Sequence, residues 1–284
     1  MALRTVRERP PPPGAPGGAP QGGGPDAPPG GARRGLPPQD PMPPRGAQAE
    51  PDPSLTRQWG LRAIRWFQAR RPDAGALAVA VVDTGVDRDH PDLAGVVRAY
   101  HHRGLKAADV VGHGTHVSGI VAALVDNAQG IAGVARTRLE VWKVFPDEPE
   151  QGDFYVDGER YLQALNAVRR SGARVLNLSL GGTERSETEA LLFRQLDVAG
   201  VVVAAAMGNA GDQGNPTMYP AAYPGVLAAG AVAEALRRAP VSNTGRHIGL
   251  SAPGVNVPPP LPTHPAPRDR PQTGSAPLGA PPPA

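Results

Sequence analysis

The chain has 284 residues, of which 36 are glycine and 36 proline, with 29 basic against 26 acidic side chains and no cysteine. The lack of cysteine excludes a disulfide framework, thiolate metal ligation and a cysteine nucleophile. A net charge of +3 on scattered residues of both signs forms no dense basic stripe for nucleic acid, and no apolar run reaches the roughly 18 residues that span a bilayer, so neither nucleic acid nor membrane is an expected partner.

Residues 1–50 hold 14 of the prolines and lack the apolar side chains that offset the entropy of ordering, so this segment is expected to be disordered. Its run Pro10 to Pro13 has the composition of a polyproline ligand, but a solvated tail is the simpler reading. Basic residues after Met1 run into Pro and Gly where a secretory signal needs an apolar stretch, so no signal peptide is read and localisation stays open. Residues 258–284 hold 11 further prolines and form a second Pro-rich tail. The stretch between, residues 51–257, is long enough to bury one sizeable core.

From Leu77 onward the chain alternates two patterns. The valine-rich runs Leu77 to Val82, Leu139 to Val144, Val175 to Leu180, Val201 to Ala206 and Val226 to Val232 predict strands buried on both faces. Between them, His116 to Leu124 places Val117, Ile120, Val121 and Leu124 on one helical face, and Gly158 to Arg170 does the same with Tyr161, Leu162, Leu165 and Val168. Ser186 followed by Glu189 is a capping-box start for a third helix that stops at Gly200. Strand, helix, strand at this spacing predicts right-handed crossovers and an α/β fold, a parallel sheet with helices on both faces. Reactive groups in such sheets stand beyond the carboxyl ends of the strands.

Four places there carry chemistry. Asp83 follows a buried strand, where low dielectric strengthens a carboxylate's hydrogen bonds; it could orient a histidine or simply form a turn. His113, set between glycines at a helix start, suits a general base. His116, three residues on, lacks the four-residue spacing and intervening glutamate of a zinc helix and reads as a packed helix residue. Asn209, in a glycine-bounded loop after a strand, suits an amide donor to an oxyanion. Ser179, Leu180 and Gly181 end a strand whose open backbone edge an extended peptide could join.

Taken in order, VAVVDTGVD, GHGTHVSG, NLSLGG and AAAMGNAG, with His90-Pro91-Asp92-Leu93 and the APGVNV at Ala252 to Val257, resemble the signatures of the subtilisin-like serine peptidases. The order acid, histidine, serine is the one already known for subtilisin. The resemblance covers about residues 51–257 and implies a three-layer subtilisin-like fold, a polypeptide substrate and peptide-bond hydrolysis by an Asp/His/Ser triad with no cofactor required for the chemistry. It makes Asp83 the orienting carboxylate, His113 the general base and acid, Asn209 the oxyanion donor, and Ser179, Leu180 and Gly181 the peptide-binding strand. It also makes Asp92 a candidate ligand of a structural calcium ion, and it implies a family whose members are often secreted.

One departure stands out. The resemblance places a Gly-Thr-Ser-Met-Ala-x-Pro segment, opening a buried helix, downstream of APGVNV, whereas the chain continues PPPLPTHPAPRDRPQTGSAPLGAPPPA. Ser275 falls near the expected place for the nucleophile, but Pro271 and Pro277 flank it and leave no room for a helix. The expectation is therefore a serine endopeptidase by descent whose domain is incomplete at its C-terminus, by frameshift or altered gene end, and which is inactive as it stands if the serine is lost; the alternative is a non-catalytic, peptide-binding fragment.

Overall fold

The computed structural model describes residues 3–4, 51–69, 77–148 and 156–260. Its elements are β1 (Leu3–Arg4), α1 (Trp59–Ala63), β2 (Ala78–Asp83), β3 (Val97–His101), α2 (His113–Ala122), β4 (Arg138–Lys143), α3 (Gly158–Ser171), β5 (Val175–Leu178), β6 (Leu180–Gly181), α4 (Glu187–Val198), β7 (Val202–Ala206), β8 (Val226–Val232) and β9 (Ile248–Pro253). Seven strands form one parallel sheet in the order β3-β4-β2-β5-β7-β8-β9.

The period-two alternation of a strand decides which helix each residue meets. Ala78, Ala80 and Val82 of β2 join Leu176, Leu178, Val203 and Ala205 in a core closed by Tyr161, Leu165 and Val168 of α3 and by Phe193 and Leu196 of α4. Val81, with Leu139 and Val141 of β4, faces the other way onto Ala122 and the partly buried Val117 and Val121 of α2. Helices on both faces make the three layers. A fully buried leucine such as Leu176 or Leu165 stabilises the packing by about 1.5–3 kcal/mol.

Two edge strands, β3 and β9, carry no continuous apolar run, because an edge strand exposes residues that a central strand buries; the sequence patterns therefore passed them over. The expected strand Val175 to Leu180 is broken. β5 ends at Leu178, and β6 leaves the sheet to pair in parallel with β1, Leu3 opposite Leu180 and Arg4 opposite Gly181. Of residues 1–50 only this strand is described. The second helix opens at His113, three residues before the predicted start. At α4 the cap is half of what the spacing predicts: Ser186 Oγ accepts from Glu189 N at 3.3 Å, but Ser186 N donates to Tyr223 Oη, and the Glu189 carboxylate accepts instead from Tyr161 and Tyr223.

Candidate active site

Asp83 is the last residue of β2, wholly buried, and its Oδ1 accepts from the Thr84 backbone at 2.7 Å. The same oxygen lies 2.7 Å from Nδ1 of His113, the first residue of α2, itself 6% exposed. A carboxylate only accepts, so Nδ1 carries the proton in this contact. The close approach of the two elements depends on glycine. A Cβ at Gly114 would stand 2.1 Å from the carbonyl oxygen of Gly85, so only a bare backbone lets the helix start meet the loop after β2.

His116 lies one turn along the same helix. Its Nε2 is buried with no hydrogen-bond partner among the described residues, and burial, reinforced by the nearby His113, pushes its pKa down to about 4. A neutral, packed imidazole is what these surroundings favour.

β2, β5 and β7 are neighbours in the sheet, so Asp83, Ser179 and Asn209 leave it from one carboxyl rim. Gly208, at φ +105°, turns the chain out of β7, and a Cβ there would meet Met218 Cγ at 2.7 Å. The buried Asn243 then grips the loop around half-buried Asn209. Its Oδ1 accepts from Ala210 N at 2.7 Å, its backbone N–H donates to the Gly208 carbonyl, and its Nδ2 donates to Pro216 O. No sequence pattern pointed to Asn243, since it acts from 34 residues away.

Leu180 and Gly181 are buried and Ser179 is half-buried, its hydroxyl accepting from Asn177 Nδ2 at 3.0 Å. Just beyond them Gly182 exchanges two backbone hydrogen bonds with Tyr219, and Tyr223, four residues on, is anchored to Glu189. Burial raises the Glu189 carboxyl pKa, while its two tyrosine partners lower it. One side of β6 is thus held by the protein; the other pairs with β1.

Asp92 is wholly buried in the turn Pro91–Leu93, its Oδ2 accepting from Ile131 N and its Oδ1 from Asn127 Nδ2. Asp52 is also buried and takes the backbone N–H groups of Asp126 and Asn127. Burial raises the Asp52 pKa, and the neighbouring charges of Asp126 and Asp92 add to the rise. Two carboxylates converge on one loop, and among the described residues neither has a basic side chain within ion-pair distance. No cluster of three or more His, Cys, Asp or Glu among the described residues could hold a metal. Asn127 turns its amide nitrogen to Asp92, and its Oδ1 accepts from Gln129 N, so the oxygen ligands that calcium takes would have to come from Asp92 and the loop backbone.

The subtilase family model matches residues 75–278, which includes every site residue named above except Asp52. The chain belongs to the subtilase family. This subtilase is 38% identical over 220 residues to a thermostable alkaline protease of Halalkalibacterium halodurans, an alignment covering 74% of the chain and 56% of that protein. It is 36% identical over 192 residues to subtilisin E of Bacillus subtilis, covering 65% of the chain and 48% of the relative. Among solved structures it resembles the psychrophilic subtilisin-like protease Apa1 of Pseudoalteromonas sp. AS-11, with a TM-score of 0.60 and 29% identity over 69% of this chain and 45% of that one. The subtilase spans about half the length of such relatives. Its family match continues through Ser275, which lies outside the described residues, as does the proline run Pro10 to Pro13.

Proposed function

We propose that this subtilase is a serine endopeptidase. The observation that carries the reading is the buried 2.7 Å contact between Asp83 and His113 Nδ1, at the same sheet rim as a strand edge already joined by an extended segment. Asp83 holds the imidazole in the tautomer whose Nε2 takes a proton from a serine hydroxyl. The serine oxygen attacks the peptide carbonyl, and the amide of Asn209 with a backbone N–H stabilises the oxyanion. His113 then gives its proton to the leaving amine, and water hydrolyses the acyl-enzyme. The Leu180–Gly181 edge supplies main-chain hydrogen bonds to a polypeptide substrate. Ser275, the serine within the family match nearest the expected place, is the candidate nucleophile even though its flanking prolines leave no room for a helix to present it, so labelling decides whether it reacts.

A fluorophosphonate probe tests this. The full chain is expected to be labelled, with labelling lost in Ser275→Ala. Asp83→Asn should slow it by about 10⁴, the size known for the same carboxylate-to-amide change in a chymotrypsin-type triad. A folded chain that takes no label overturns the peptidase reading. It favours the second one, a peptide-binding subtilase without catalysis, because the pairing at Leu180–Gly181 involves no nucleophile.

Calcium belongs to the same proposal as a structural ion only, with Asp92 as its candidate ligand and no part in any chemical step. It would compensate the two buried carboxylates of Asp52 and Asp92. Saturating calcium at about 100 Kd should add roughly 2.7 kcal/mol of stability, magnesium much less, and Asp92→Asn should abolish the gain. An unfolding temperature indifferent to calcium counts against the ion.

A further inference from the structure

The N-cap of α2 is Gly112, in the left-handed region at φ +81°, with no side chain to cap the helix that presents His113. A carboxylate from upstream does that work. Asp109 Oδ1 accepts from Gly112 N at 3.0 Å, and its Oδ2 accepts from Thr115 N at 2.8 Å and from Thr115 Oγ1 at 2.6 Å. Anionic charge at a helix N-terminus is favourable, and here it also satisfies N–H groups that the helix leaves orphaned.

Asp109 reaches the other half of the pair as well. Thr84, directly after Asp83, donates its hydroxyl to Asp109 Oδ1 at 2.9 Å and accepts from Gly114 N at 2.9 Å. Thr115 Oγ1 in turn accepts from Asp87 N. One carboxylate therefore ties the loop after β2 to the first turn of α2 on both sides of the Asp83–His113 bond. The backbone that presents Asp109 is itself pinned: Tyr100 Oη donates to Ala107 O at 2.8 Å, and buried Lys143 Nζ donates to Ala108 O at 2.7 Å.

We propose that Asp109 is a positioning residue that, through Thr84 and the N-terminus of α2, holds His113 in register with Asp83. The inference rests on reading Asp83 and His113 as the catalytic pair. It gives Asp109 no contact with substrate. Because it concerns only the geometry between the two residues, it can be tested without a nucleophile or a substrate.

The readout is the low-field NMR resonance of His113 Nδ1–H in the full chain, assigned by its disappearance in His113→Gln, together with that proton's exchange rate with water. Thr84→Val keeps the Asp109 charge and removes only the hydroxyl bridge; it should speed exchange at least tenfold while circular dichroism shows a folded chain. Thr84→Ser restores the hydroxyl and should restore slow exchange. Asp109→Asn should speed exchange at least as much as Thr84→Val. The proposal is overturned if Thr84→Val exchanges like the parent, even where Asp109→Asn does not, because Asp109 would then act by its charge alone. It is equally overturned if Thr84→Ser behaves like Thr84→Val. Should Asp109→Asn fail to fold, the two Thr84 variants decide the matter by themselves. An unlabelled chain in the fluorophosphonate experiment leaves this measurement intact, so the two readings fail separately.

Discussion

At the scale of single residues, the site is built from atoms brought closer than ordinary side chains permit. Gly114→Ala would drive a Cβ into the Gly85 carbonyl, and backbone cannot yield as a flexible side chain can. The substitution should destabilise the fold by about 2 kcal/mol or more and loosen the Asp83–His113 contact, measured as a lowered denaturation midpoint. His116 makes a pH prediction. The unfolded chain protonates it near pH 6.5, whereas burial holds the folded residue neutral down to about 4. Between those values the unfolded chain binds a proton that the folded one refuses, so stability rises with pH. The contribution is complete above pH 6.5 and is lost as pH falls towards 4, amounting to at most about 3 kcal/mol. Glu189 works in the opposite sense, since its raised pKa means that the folded form holds its proton more tightly and loses stability as pH rises through it. Urea unfolding of His116→Leu beside the parent separates the two: the slope between pH 6.5 and 4 should flatten in the variant, and an identical slope would sink the assignment.

Among the elements, β6 matters most, because breaking the chain at Ser179 turns Leu180–Gly181 out of the sheet and frees a backbone edge. That edge pairs with Leu3–Arg4. Whatever extended peptide binds there must compete with the chain's own N-terminal strand, and an intramolecular competitor acts at high effective concentration. Deleting residues 1–4 should therefore tighten binding of an extended peptide several-fold by isothermal titration. Equal affinity in the two proteins would show that β1 does not compete.

At the scale of the whole molecule, the described helices cover the two faces of the sheet unequally. α3 and α4 lie over one face across β2, β5 and β7, while on the other face α2 packs on the β2 and β4 side. On that second face Val202 is 54% exposed, Leu227 37% and Leu250 40%, and the strand registers place all three on the same side of β7, β8 and β9. Exposed aliphatic side chains grouped on a sheet bind hydrophobic dyes and favour association. The full chain should enhance the fluorescence of anilinonaphthalene sulfonate, and Val202→Thr with Leu227→Thr should reduce that enhancement; an unchanged signal would locate the dye elsewhere.

Much of this architecture was legible in the residues themselves. The central strands are continuous apolar runs, since a strand covered on both faces has no solvent side to mark, and β8 follows its run from Val226 to Val232. Asp83, His113 and Asn209 were readable because each ends or follows such an element within a short glycine-bounded string. The edge strands β3 and β9 were not, as their half-exposed residues lack a period that survives in the sequence. Nor were Asp109, Thr84 and Asn243 legible: a carboxylate three residues before a glycine resembles any turn, and an asparagine 34 residues from the loop it holds leaves no local trace. Local pattern determined the strands and the helices, because burial and periodicity act on neighbours in the chain, and the family resemblance of the short strings that end them marked Asp83, His113 and Asn209 as candidates. Only the tertiary structure decided how Asp83 and His113 are held at hydrogen-bonding distance, since that depends on side chains meeting across elements whose separation in sequence carries no signal.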